Sequence, residues 1–545
     1  MTHYNKITKF AIPLLTILAM SACTKLDEDL NSTLTNEQVT SALGTEGTKL
    51  LLSAAYADLA GPFSSQDLIF SLQENTTDES LVPTRGGDWD DNGVWRVLHS
   101  HTWNADHGQI LSVFNGLNKL NFDATNVLGF NPTPSQAAEA RFLRSISLYY
   151  LLDLYGQYPL RNPGDDLLIA PEVKSGAEAV DFIISELTTI LPDLPAANTS
   201  TQANPEAAKF LLMKCYLQKG AFINRAAPTF DAADMQKVIT LGNEIIASGK
   251  YSYASNYFDV FSTTNNTSKE GIFVYPNTGG VSANHAGVEA RWNMTLHYNS
   301  YTPVNPNAGW NGFSTISDFY NTFNVGSTPT TFGPKDTVFD TRLGGRVTSN
   351  LVSTKTSGIR PGFLVGQQYN ENGVAIKDRK GNPLAYTPEI APNMIETGGN
   401  LEVTGIRVVK YVPDYAFYGG PAENDLMLFR YADVVLMVAE AKLRINPSDA
   451  TAITLVNELR TARGATPLLT IPLVNPANVD DPGTLLAERG RELYWEGFRR
   501  TDLIRFGVYL KPWGLKPNDD PKNLVFPVPS QALAANPNLT QNPGY

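Results

Sequence analysis

The chain is 545 residues long, with 42% hydrophobic and 18% charged residues, a globular composition that excludes an intrinsically disordered protein. Its formal charge of −12 works against nucleic acid, whose binding draws on basic patches, and against adhesion to anionic lipid. Two cysteines, Cys23 and Cys215, exclude a disulfide framework, while 23 Tyr and 7 Trp suit a ligand or partner that rewards flat apolar surfaces.

The N-terminus reads as a signal peptide over residues 1–22. Lys6 and Lys9 supply the positive region, and Phe10 to Met20 an apolar run broken only by Pro13 and Thr16. That run is too short to span a bilayer, which takes about 20 apolar residues, and no later stretch is apolar enough to do so. Met20-Ser21-Ala22-Cys23 resembles the bacterial lipobox, in which the cysteine is diacylated and becomes the new N-terminus. An ordinary secretory signal cleaved after Ala22 is the alternative. Residues 23–36 form a tether whose acidic start, Asp27-Glu28-Asp29, resembles the surface-export signal of Bacteroidetes lipoproteins.

Residues 37–252 are predicted to be a helical-repeat region. Glu37 to Leu59, Leu111 to Leu120, Ala137 to Tyr155, Val180 to Leu191, Pro205 to Lys219 and Met235 to Ser248 carry apolar residues at spacings of three and four. Gly156 ends the clearest of these, and Pro205 suits a first helical turn. Cys215, inside an apolar helix, reads as a small core residue and not a nucleophile. From 253 to 424 the style changes to an irregular, partly β excursion rich in Gly, Asn, Thr, Ser and Pro. Ile272 to Tyr275 and Ile406 to Tyr411 are predicted strands, Asn372-Gly373 and Lys380-Gly381 turns, and Thr315 to Phe323 a helix. Helices return over 425–545: Leu426 to Ile445, buried on most sides; Ser448 to Arg463; and Pro482 to Phe498. Paired helices suggest repeat stacking, although no clean period of about 34 residues is visible.

Four blocks resemble one family. They are Ala138-Glu139-Ala140-Arg141-Phe142-Leu143-Arg144 with Tyr149-Tyr150 and Asp153 to Gly156; Phe429 to Ala441; Glu488 to Leu493 with Glu496 to Arg500 and Asp502 to Arg505; and Asn536 to Leu539 with Gln541 to Tyr545. In this order, and with the lipobox, they are similar to the SusD/RagB lipoproteins. The resemblance implies a mainly α, tetratricopeptide-like helical-repeat superhelix with a large irregular, partly β insertion carrying the ligand surface. It also implies a lipid-anchored protein of the outer membrane, facing out, that captures glycan and sits as a lid on a SusC-like TonB-dependent transporter. Within the blocks, Glu488, Glu492 and Glu496 stand four apart among arginines and read as a helix-surface ion-pair network. Glu440, in an apolar helix, calls for a buried arginine.

Sugar binding needs flat aromatic faces for the C–H faces of a ring and directional polar groups for its hydroxyls. The ligand loop 75–107 supplies both in Trp89, Asp88 and Arg85; Trp95 and Trp103 read as loop anchors. A second cluster, Trp292, Tyr298, Tyr301 and Asn307 to Phe313, offers Trp310 as an exposed platform, with Tyr298 and Asn311 as polar partners. Trp495 and Trp513 read as packing. Asp88, Asp90, Asn92 and Gly93 copy the first half of a calcium loop, but His99 stands where its bidentate Glu belongs, so calcium is a weak candidate and no other cofactor is expected. His99, His101 and His107 lack a fourth zinc ligand nearby. No G-x-S-x-G, Walker loop or H-E-x-x-H is present. The expectation is a non-catalytic glycan-capture lipoprotein. A peptide-binding member of the same family, or a surface glycoside hydrolase with two facing carboxylates, are the alternatives.

Overall fold

The computed structural model describes residues 36–281, 287–300, 309–323, 340–344, 361–370, 374–417, 421–517 and 519–545. The signal peptide, Cys23 and most of the tether, together with Tyr301, Asn307 and the Asn372-Gly373 turn, lie outside these residues. Two compact units, Met1–Gly44 and Thr45–Tyr545, divide within the helix Asn36–Ala57, which is broken at Gly44 (φ 54°). All that follows concerns the second unit.

Its frame is a stack of helices, each packed on the next: Gly108–Leu128, Pro134–Tyr155, Gly176–Ile190, Pro205–Ile223 and Ala232–Ala247. The sequence marks their ends. Thr133 and Gln136 cap each other's backbone at the start of Pro134–Tyr155, and Gly156 closes it at φ 73°. Asn204 and Asp231 cap the two helices that follow them. The stack then continues, across an insertion of more than 180 residues, on Tyr431–Ile445 and Ala450–Ala462. Contact at that junction is close: a Cβ on Gly242 would lie 2.2 Å from Val438 and 2.8 Å from Met213. The architecture is thus mainly α, a tetratricopeptide-like helical-repeat frame with an irregular, partly β insertion.

The insertion is pinched at its base. Gly271–Tyr275 near its start pairs antiparallel with Leu426–Arg430 at its end. This corrects the expectation of one helix from Leu426 to Ile445: the first five residues have a strand partner, and the helix starts at Tyr431. Every strand among the described residues belongs to a two-stranded pair, so no extended sheet forms.

The expected helix Pro482 to Phe498 is also shorter. It runs Leu485–Leu493, then Trp495 (φ 58°) and Gly497 (φ 84°) turn the chain sharply before Arg499–Arg505. Glu496 therefore leaves the helix that carries Glu488 and Glu492. The expected surface network is a correction too, because Glu488 and Glu492 are fully buried and the Glu496 side chain is only 2% exposed. Glu488 accepts from Arg342 (2.8 Å), Arg460 (2.5 Å) and Arg491 (2.6 Å). Glu492 meets Arg430 (2.6 Å) and Arg463 (2.8 Å), and Glu496 meets Lys410 and Arg430. Burial alone would raise the Glu492 carboxyl, but Arg463, Arg430 and Arg342 overcome it and hold the group down at about 2. Glu440 has the arginine its burial demands: Arg505 grips it with two nitrogens at 2.7 and 2.8 Å.

Candidate functional site

Segments more than 200 residues apart build one surface. The first is a tight turn after Thr84–Arg85, a strand paired with Ile395–Glu396. Arg85 and Asp88 exchange backbone hydrogen bonds (2.9 and 3.2 Å) around Gly86, whose φ of 71° the turn requires. That closure lifts Asp88 and Trp89 to the surface. The second segment doubles back on itself: the backbone N–H groups of Trp310, Asn311 and Gly312 donate to the carbonyls of Asn293, Leu296 and Met294.

The two segments are joined by their tryptophans. Trp89 Nε1 donates to the Trp310 carbonyl at 2.8 Å. The Trp89 ring lies on Gly312, where a Cβ would come within 2.4 Å of it, so only glycine admits the ring. Trp95 and Phe313 meet Trp89 edge-on at 5.3 and 5.5 Å and support it from beneath. Trp89, Trp310 and Tyr298 are all half-buried, and the two tryptophans pack against the core.

Beside the tryptophans stands a polar cluster. The Tyr298 hydroxyl donates to Asp88 Oδ2, and burial together with that bond pushes the phenol well above its ordinary pKa. The Arg379 guanidinium stacks 3.9 Å from the centre of the Tyr298 ring and lies 3.9 Å from Asp88. Arg379 is itself held by Glu402, through its backbone N–H (3.0 Å) and its Nε (2.7 Å). Glu402 also accepts from His297 Nε2 at 2.8 Å, while His297 Nδ1 accepts from the Asn299 N–H at 3.0 Å. Those two bonds fit a neutral imidazole, and burial does push the His297 pKa down to about 4. Asp88 and Arg379 keep about half of their side-chain surface open, 50% and 47%.

Trp89, Trp310, Tyr298 and Asp88 are thus brought together, but Arg85 and Asn311 are corrected. Arg85 is 2% exposed, and its guanidinium donates inward to the Leu401 and Thr404 carbonyls and to Thr404 Oγ1 and Ser314 Oγ. It clamps the turn to the insertion. Asn311 is buried at φ 52°, its amide oxygen taken by Arg407 at 2.9 Å. Trp292 lies wholly in the core.

The calcium pattern does not gather. Asp88 faces Tyr298, Asp90 pairs with Arg96 (2.9 Å), Asn92 is exposed at φ 56°, and the intervening Asp91 accepts from Trp95 Nε1 (2.7 Å). Among the described residues no group of three or more His, Cys, Asp or Glu is arranged to hold a metal ion. The histidines are parts of the scaffold: His99 lies between the Ser80 and Gly514 carbonyls, His101 pairs with Asp519 (2.7 Å), and His107 reaches the Val94 carbonyl. Trp95, Trp103, Trp495 and Trp513 are buried, as is Cys215.

Sequence reasoning missed Arg379 and Glu402. Arg379 had a signal: Asp378 caps the Lys380 and Asn382 N–H groups, and such a turn throws the residue between onto the surface. Glu402 had none, since only the fold brings it to His297.

The family model described as SusD family matches residues 269–519. The starch-binding protein SusD of Bacteroides thetaiotaomicron is 24% identical over 504 residues, covering 87% of this chain and 85% of that one. Among solved structures, a laminarin-binding SusD-like protein superposes with TM-score 0.65 at 19% identity, covering 92% of this chain and 99% of that one. Surface glycan-binding protein A from Bacteroides uniformis does so with TM-score 0.66 at 17% identity, covering 91% and 99%. Among the described residues no helix is long and apolar enough to cross a membrane.

Proposed function

The chain belongs to the SusD family, and from that footing we propose that it is a non-catalytic, surface glycan-binding lipoprotein. It captures a poly- or oligosaccharide on the Trp89–Trp310 surface and delivers it to a SusC-like TonB-dependent transporter. The observation that carries the reading is the convergence of Trp89, Trp310, Tyr298 and Asp88 from remote parts of the chain. Half-open aromatic rings offer a sugar ring its C–H contact, while Asp88 and Arg379, charged and half exposed beside them, orient its hydroxyls. That the relatives include a starch-binding and a laminarin-binding protein supports a glycan as the ligand.

In this reading Cys23 carries the lipid and the chain faces outward from the outer membrane. Affinity electrophoresis and calorimetry against a glycan panel test the binding. A glycan should be retained by the native chain and released by Trp89→Ala or Trp310→Ala, with no new reducing ends formed. Binding that neither substitution weakens would remove the site assignment, and new reducing ends would remove the non-catalytic role.

A further inference from the structure

The polar edge of the tryptophan surface keeps particular hydrogen-bonding atoms in reserve. Asp88 accepts from the Tyr298 hydroxyl through Oδ2, which leaves Oδ1 without a hydrogen-bond partner among the described residues. Arg379 spends its backbone N–H and its Nε on Glu402, which leaves Nη1 and Nη2 without one. Nη2 lies 3.9 Å from Asp88, too far for a hydrogen bond, so donors and acceptor stand side by side and are not spent on each other. Both side chains are open to a ligand, with 50% of Asp88 and 47% of Arg379 exposed.

The direction of these atoms is fixed from behind. The Tyr298 ring covers one side of the guanidinium, 3.9 Å away, and Glu402 ties down its Nε. The end that carries Nη1 and Nη2 is what remains to meet a ligand. That end is a rigid, planar fork of paired N–H donors. Hydroxyls on neighbouring carbons of a sugar ring offer two oxygens side by side, as a fork requires, and each also has a proton to donate. Asp88 Oδ1 is placed to accept one of those protons in a hydrogen bond. Hydroxyls separated by a glycosidic linkage cannot reach both tines together. A carboxylate or sulfate also fits a fork, but Arg379 already faces two carboxylates, Glu402 and Asp88, and a further anion would meet their repulsion.

We infer that Asp88 and Arg379 select glycans whose backbone units keep two adjacent ring hydroxyls free, the fork donating to both oxygens and Asp88 accepting from one of them. The inference rests on the glycan reading of the tryptophan surface and adds to it the class of glycan.

The test is affinity electrophoresis of the full chain in gels holding starch, dextran, galactomannan, laminarin or polygalacturonate. Backbone units of the first three are neutral and keep adjacent hydroxyls free. In laminarin the linkage falls between the free hydroxyls of each backbone unit. Polygalacturonate keeps the pair and adds a carboxylate. The native chain should be retarded by at least one of the first three and not by laminarin, and O-methylation of the hydroxyl pair should weaken that retardation. Arg379→Lys keeps the charge but loses the fork, and Asp88→Ala removes the acceptor. Each should weaken binding of the unmethylated glycan about two- to fivefold and leave the residual binding of the methylated one unchanged, which mere loosening of the site would not do.

Laminarin binding as strong as that of the other neutral glycans overturns the inference, as does a methylation penalty equal in the native chain and both variants. So does a preference for polygalacturonate that added salt removes, which would make Arg379 a reader of charge. If laminarin retards the chain and Trp89→Ala abolishes that, the tryptophan site stands and only the selection rule falls. Retardation by none of the five removes both.

Discussion

The guanidinium carbon of Arg379 lies over the ring of Tyr298, 3.9 Å from its centre, and the hydroxyl of that ring donates to Asp88. One stack therefore fixes both the aromatic ring and the carboxylate that edge the tryptophan surface. Glu402 and the neutral His297 hold the arginine from behind.

Arg379→Ala should loosen Tyr298 and Asp88 together. An exposed cation–π contact is worth about 0.5–1 kcal/mol, so glycan affinity should fall roughly two- to fivefold. Because Arg379 is half exposed, the melting temperature should barely move. Calorimetry and thermal denaturation read the two effects separately. An unchanged affinity would place the polar cluster outside the site.

The two tryptophans should behave differently. Trp310→Ala removes a half-open ring but leaves its main-chain bonds, so it should cost affinity, about 1 kcal/mol, with little loss of stability. Trp89→Ala also removes the bond to the Trp310 carbonyl and the packing on Gly312, Trp95 and Phe313. It should lower both affinity and the unfolding midpoint. Equal stability of the two variants would contradict the anchoring role of Trp89.

Chelation should have no effect. The three aspartates of the Asp88–Gly93 turn face three different partners, so glycan affinity in EDTA should equal that in millimolar calcium. Affinity electrophoresis under both conditions is the check. A calcium requirement would mean that the turn rearranges to gather its carboxylates.

Stability should decline from mildly acidic to neutral pH. Glu74 and Glu79 are fully buried beside Asp78, and the nearby cation, Arg499, is gripped by Asp78 at 2.7 and 2.5 Å. Burial raises Glu74 to about 7 and Glu79 well above its usual range, so a proton is shared between them, supplying the partner that Glu74 Oε2 otherwise lacks. A carboxyl that binds its proton more tightly when folded adds stability that is complete below its unfolded pKa, about 4.3, and lost as pH rises through its folded value. Glu492 and Asp519, both held at about 2, act in the other direction: their contribution is present above the usual carboxylate range and lost as pH falls through it. The melting temperature should therefore peak near pH 5 and drop toward pH 7. Glu79→Gln should flatten the upper limb; a native slope in that variant would remove the shared proton.

Arg342→Leu should unfold the chain readily. Arg342 comes from the insertion and reaches Asp340, Glu488 and Glu492, all in the interior. Removing it leaves buried carboxylates uncompensated, a change that generally costs about 3–5 kcal/mol. Urea denaturation measures it, and a midpoint within error of the native chain would show that the other arginines can take its place.

The helical frame was legible because helix ends carry local chemistry: Gly156 and Pro205 mark boundaries in any context, whereas the Thr133–Gln136 cap and Pro134, which start the helix before the expected Ala137, were not read. Leu426 to Arg430 misled because its apolar run suits a buried strand as well as a buried helix, and only the distant partner Gly271–Tyr275 decides between them. The glutamates misled for a related reason. A spacing of four places Glu488 and Glu492 on one face, but the sequence does not say that Arg342, Arg430, Arg460 and Arg463 arrive from elsewhere to bury that face. At the candidate site, residue type identified Trp89, Trp310, Tyr298 and Asp88. It could not separate them from Arg85 and Asn311, since exposure is set by how the turn and the insertion close on each other.

The pairing of Gly271–Tyr275 with Leu426–Arg430 gives the insertion a single doorway. Loops between those strands can lengthen or shorten without altering the register of the helices on either side, provided that Arg342 and Lys410 still reach the carboxylates beneath them. Yet the Trp89 indole reaches in from the other part of the chain to hold Trp310. A transplant of the insertion cut at the doorway would therefore arrive with half a seat. To move a ligand preference from one such protein to another, the turn from Thr84 to Gly93 would have to travel with it.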